Sequence, residues 1–243
     1  MENKIQYLFE FLKSNRELNN DLQLQFCKSM IGSSKESSHK LISLLYHVVN
    51  TQSQPKIDLI SVFFQKIYAN TKNLRTFEEF IKLLDDKQEN NFEGLYKSVQ
   101  GQDGWGQKTA ALFTKNIFLI HNKYNDSALR FWDDVPKNIE KTDKLYLPVD
   151  RVILTIFQKM DNQVRWTFDK INKTLNKNYT GDEIEVWDDL WFWGFFNQKV
   201  VNKERVFEWN ESKYWILNET NKNPIIINHI KKKSKEFLEI LEK

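Results

Sequence analysis

A lysine in the first turn of a helix entered through two glycines, and an aspartate opening a later helix, carry the chemistry of this chain. Gly104-Trp105-Gly106-Gln107-Lys108-Thr109-Ala110 reads as a tight turn feeding a helix, and Leu147-Pro148-Val149-Asp150 puts a carboxylate where another helix begins. Glycines let a backbone approach a phosphate closely, and a helix N-terminus adds unpaired amides and a positive dipole end. An amine that has lost its proton attacks electrophilic carbon, and an ionised carboxylate stabilises positive charge developing beside it. At 100° per residue Lys108, Leu112 and Lys115 share one helix face, while Phe113, Ile117, Ile120 and Tyr124 form an apolar stripe suited to a core. The two lysines are therefore expected to point together away from that core, where each ammonium disfavours the other's charge. The competing reading makes Lys108 and Lys115 a solvated face and Asp150 a plain N-cap.

The elements that must position these residues are helical. Seven glycines and four prolines in 243 residues, with few alternating β-branched runs, indicate an all-α protein. Helices are expected over 5–13 and 21–31, the second ended by Gly32, and over the mostly apolar stretch from His39 to Asn50. Pro55 separates that stretch from an amphipathic helix at 57–69. Thr76-Phe77-Glu78-Glu79 fits a capping box for a helix over 77–85, and a helix near 91–99 leads into the glycine turn. Helix, glycine turn, helix is a helix-hairpin-helix arrangement. A connector covers 125–147, and further helices are expected over 150–160, 162–175, 182–196 and 225–242.

Composition bounds the function. Forty per cent hydrophobic residues argue against disorder, and no apolar run reaches the roughly 20 residues that cross a bilayer. The N-terminal residues lack the pattern of an export signal, so a cytoplasmic location is expected. Cys27 stands alone, which excludes an internal disulfide and a four-cysteine cluster, and His39, His47, His121 and His229 lack metal-ligand spacing. A net charge of +3 is only mildly basic. Lys231, Lys232, Lys233 and Lys235 read as the solvated face of a terminal helix.

Gly-Trp-Gly-Gln-Lys-Thr-Ala followed by Leu-Pro-Val-Asp resembles the helix-hairpin-helix DNA glycosylases, the endonuclease III and 8-oxoguanine glycosylase superfamily, and is most similar to the archaeal-type 8-oxoguanine enzymes. The resemblance implies two helical lobes flanking a cleft. One, over 55–149, would carry the helix-hairpin-helix; the other would combine 1–54 with 150–243. It implies Lys108 as the Schiff-base nucleophile and Asp150 as the catalytic carboxylate, hence combined glycosylase and AP lyase activity. Gly104 and Gly106 would hold a DNA phosphate. Lys115 stands seven residues after Lys108, as a second lysine does in the archaeal-type enzymes. Asp189 and Trp193 match an aspartate–tryptophan pair used there for base recognition, and Gln52 matches a glutamine that enters the duplex near the lesion. Trp187 to Trp193 would wall an extruded base. Asp103 replaces a proline of the pattern, Leu112 replaces an aromatic ring, and the iron–sulfur loop is absent.

The implied partner is double-stranded DNA containing a damaged base, with no membrane, no metal and no organic cofactor, and a monomer is expected. 8-Oxoguanine is the first substrate choice and an oxidised pyrimidine the second. Two other classes compete: a non-catalytic helix-hairpin-helix module that grips DNA backbone, and an all-α protein–protein scaffold.

Overall fold

A computed structural model describes residues 2–242, and among them the chain is mostly helical, with one two-stranded sheet. It forms two compact units. A central unit holds Leu24–Pro148 and Asn178–Ile184; a terminal unit holds the residues up to Gln23, Val149–Lys177 and those from Glu185 onward. No helix of the described residues is long and apolar enough to cross a membrane.

The central unit contains most of α2 (Glu17–Ile31), then α3 (Ser37–Val49), α4 (Ile57–Ala69), α5 (Phe77–Leu84), α6 (Phe92–Gln100) and α7 (Gln107–Phe118). The last continues into a π-helical turn, Leu119–Lys123. Leu41, Leu44, Leu45, Val48 and Val49 make α3 buried along much of its surface, as its near-continuous apolar sequence requires. Phe80 packs against Phe113 at 5.9 Å and Phe92 against Phe118 edge-on at 5.5 Å, joining α5, α6 and α7 through rings. Thr76 caps α5 by accepting from Glu79 N at 3.1 Å, as the capping-box spacing predicts.

Residues 124–150 contain no helix, yet they are firmly attached. Asp134 accepts from Phe77 N at 2.8 Å and Glu78 N at 3.0 Å, at the start of α5. Asp143 does the same for α6, accepting from Phe92 N at 3.0 Å and Glu93 N at 2.7 Å. A carboxylate at a helix start satisfies orphan amides and opposes the dipole, worth about 1 kcal/mol each. Trp132 Nε1 donates to Leu74 O at 2.9 Å, and the buried Lys40 donates to Ala128 O and Arg130 O.

The terminal unit is built on α1 (Glu2–Ser14), α8 (Arg151–Met160), α11 (Asp189–Phe196) and α12 (Pro224–Glu242), with most of α9 (Phe168–Asn178). Gly194 brings α11 close to α8: a Cβ there would lie 2.5 Å from Val152 Cγ1 and 2.7 Å from Ile156 Cδ1. The helix expected over 182–196 divides into α10 (Asp182–Val186) and α11. At the break the bonds Asp188 N→Glu185 O and Leu190 N→Trp187 O span three residues, tighter than α.

A hairpin not expected from sequence follows. β1 (Gln198–Val201) pairs antiparallel with β2 (Glu204–Phe207), Gln198 opposite Phe207 and Val201 opposite Glu204. Its two-residue turn puts Asn202 at φ 50° and Lys203 at φ 69°, the geometry a tight hairpin demands.

Candidate active site

The glycine turn is held by both packing and polar contacts. Trp105 is buried, with its ring edge-on to Phe63 of α4 at 5.2 Å and to Phe113 of α7 at 6.0 Å. Gly104 has φ +81°, and a Cβ there would stand 2.9 Å from Ile60 N and 2.7 Å from Ile60 Cγ1. Both conformation and the close approach of α4 therefore require glycine at 104. Gly106 differs. Its φ is −119°, it opens α7 without a side-chain cap, and a Cβ there would meet nothing within 4 Å. Local packing does not explain glycine at 106.

Lys108 lies in the first turn of α7, partly exposed, and donates to Thr51 Oγ1 at 3.1 Å and to Thr51 O at 3.3 Å. Gln52, the next residue, donates through Nε2 to Gly104 O at 3.0 Å. The segment after α3 therefore meets both the turn and the lysine it delivers. Thr51 is the partner that sequence reasoning missed. Its hydroxyl carries no motif of its own, and in the sequence only its neighbour Gln52 stood out, for a place in the duplex rather than beside the lysine.

Lys115 corrects an expectation. It is 4% exposed and does not share a solvated face with Lys108. Its charge acts on Cys27 of α2, which also hydrogen-bonds Tyr124, so α2 and the turn after α7 cover that side of the helix. Burial pushes the Cys27 thiol up to about 11 despite the opposing pull of Lys115 and Tyr124, so it is a protonated packing group near neutral pH.

Asp150 belongs to the terminal unit and opens α8. Its backbone is extended, and Oδ1 accepts from Ile153 N at 3.0 Å, the N-cap geometry foreseen from sequence. The side chain is partly exposed.

Asp189 and Trp193 are each 1% exposed. Arg16 Nε donates to Asp189 Oδ2 at 3.1 Å, and the same guanidinium pairs with Glu185; Asn19 donates to Asp189 Oδ1. Burial raises the Asp189 carboxyl to about 8, and Glu185 and Asp188 add to that rise while Arg16 and Asn19 oppose it. One guanidinium shared between Glu185 and Asp189, with the like charge of Asp188 nearby, favours keeping Asp189 protonated. Trp193 packs edge-on to Phe11 at 5.0 Å and to Phe192 at 5.2 Å, with Phe237 at 6.5 Å. Trp187 is likewise buried, 5.8 Å from Phe9 and 6.5 Å from Phe157. Arg16, Asn19 and Glu185 were not anticipated as partners, since the bonded pairs Arg16–Glu185, Asn19–Asp189 and Arg16–Asp189 lie 169, 170 and 173 positions apart in sequence.

Among the described residues no group of His, Cys, Asp and Glu is arranged to hold a metal ion. No protein-family model, curated protein or solved structure matches the chain.

Proposed function

We propose that this chain is a base-excision DNA glycosylase and AP lyase that removes 8-oxoguanine from double-stranded DNA, with oxidised pyrimidines as the second substrate class. The surroundings of Lys108 carry the reading. A primary amine stands partly exposed in the first turn of a helix, two residues behind an uncapped glycine with open space before it. That opening suits a phosphate, which the amides near Gly104 and Gly106 would hold without reading sequence.

The damaged nucleotide is flipped from the stack, at a cost of about a few kcal/mol that is least for a lesion. Lys108, after giving up a proton, attacks the sugar C1′. The C1′–N glycosidic bond breaks, and the base departs with the electron pair and takes up a proton. The Asp150 carboxylate, oriented by Ile153 N, stabilises the positive charge on the sugar. The sugar ring opens to an imine between Nζ and C1′. Loss of a C2′ proton then expels the 3′ phosphate, and water releases the lysine. These steps need Lys108 and Asp150 to act on one deoxyribose, and they call for no metal or organic cofactor. Gln52 is assigned to the duplex beside the lesion, and Lys115, Asp189 and Trp193 to the base. All three are buried and can serve only by leaving their present surroundings. We propose a monomer acting inside the cell.

Duplexes carrying 8-oxoguanine, an oxidised pyrimidine or no lesion test the proposal. Cleavage is expected at 8-oxoguanine, with an unsaturated aldehyde at the 3′ end, and none on intact DNA. Tight, salt-sensitive binding without cleavage at any lesion would instead identify a non-catalytic helix-hairpin-helix DNA-binding module.

A further inference from the structure

A second basic feature lies in the terminal unit, where α8 meets the hairpin. A groove of about 520 Å³ is lined by Arg151, Thr155 and Gln158 of α8, Trp166, and Lys203 and Arg205 of the hairpin. Glu204 is the single acid on its wall, against three cations. None of Arg151, Lys203 and Arg205 forms an ion pair among the described residues.

We propose that this groove binds the phosphodiester backbone of DNA. The polymer's identity rests on the repair reading above, whereas the charge geometry stands without it.

Three observations show a built site. First, Gln198, 3% exposed, donates to Val152 O of α8 at 3.0 Å, and its Oε1 accepts from Arg205 Nη1 at 3.2 Å. A buried amide anchored on α8 thus aims the guanidinium. Second, Lys203 occupies the hairpin position at φ 69°, which glycine fills most readily. A lysine there carries its charge to the hairpin tip at a conformational cost. Third, Trp166 is fixed: Nε1 donates to Asp161 O at 3.0 Å and the ring packs on Phe157 at 5.1 Å. Planar guanidinium groups fit phosphate oxygens two at a time, and the fixed, partly exposed indole, with Lys170 Nζ 5.9 Å over its ring, offers apolar surface to a sugar. An acidic peptide matches the charge but has no use for the indole.

The test is fluorescence anisotropy of the full chain on a lesion-free duplex between 50 and 200 mM salt. In the triple variant R151A/K203A/R205A the slope of log K against log salt should shrink by roughly 2 to 3, since each phosphate contact contributes about 0.9. Affinity near 0.1 M salt should fall at least about tenfold. K203R/R205K, which preserves charge, should keep the wild-type slope. Should the triple variant melt early, R151A alone should lower the slope by about 1. Wild-type slopes in both R151A and the triple variant would overturn the proposal, as would polyglutamate competing as well as DNA. Cleavage of an 8-oxoguanine duplex with unchanged slopes removes the groove and keeps the repair reading. A reduced slope without cleavage of any lesion does the reverse.

Discussion

The start of α7 and the whole of α11 hold the residues richest in chemical potential, and their surroundings could hardly differ more. At α7, Lys108 rests on a carbonyl and a hydroxyl of Thr51, partly exposed, behind a glycine with open space in front. At α11, Asp189 and Trp193 are enclosed by Arg16, Asn19, Phe11 and Phe237. Residues singled out for chemistry thus meet opposite fates, decided by what faces them from distant parts of the chain. The first arrangement suits a reacting group, and the second supplies stability.

Breaking the comparison at α11 should have the largest energetic effect. Trp193→Ala should lose about 3–5 kcal/mol in urea melts, whereas Lys108→Gln should stay within about 0.5 kcal/mol of wild type. Equal losses would show that Lys108 is structural. Next, Gly104→Ala should cost roughly 1–3 kcal/mol, from its positive φ and the approach of Ile60.

The Asp189 carboxyl sharpens the contrast through pH. Its folded value, about 8, lies above the ordinary carboxylate range, so the folded state holds a proton that the unfolded chain releases. Stability from this group is therefore full below about pH 4 and lost as pH climbs towards 8. Asp189→Asn should gain on wild type steadily from pH 5 to pH 8 in parallel melts. Taking the difference between variant and wild type cancels the opposite trend from His121, whose buried imidazole is pushed down to about 4. A constant difference would contradict the account. The smallest effect belongs to Gly106→Ser: an added cap and free space should leave stability equal or a few tenths of a kcal/mol higher, on the order of 0.3 kcal/mol. Duplex binding should nevertheless weaken, because the serine side chain occupies the space assigned to a phosphate.

Where local signals suffice, the fold was legible in the sequence. The 57–69 helix starts and ends as expected because Pro55 and the amphipathic pattern both act within a few residues, and Thr76 and Asp150 cap as their positions imply. The hairpin escaped because its turn is Asn202-Lys203, without the glycine that usually marks one, and only Val200, Val201 and Val206 hint at strand. Helix α9 begins at Phe168 rather than 162, since Trp166 folds back to Asp161 O. The burial of Lys115 could not be read either: its cover comes from α2, some ninety residues away in sequence. Of the site, the sequence showed the turn, the lysine and the cap. It did not show Thr51 beneath the lysine or Arg16 against Asp189.

Borohydride reduction during incubation with an 8-oxoguanine duplex tests the central claim most directly, because it fixes an imine as a stable protein–DNA adduct. The wild-type chain should give that adduct, and Lys108→Gln, equally folded, should give none. An adduct of undiminished yield in Lys108→Gln would contradict the account.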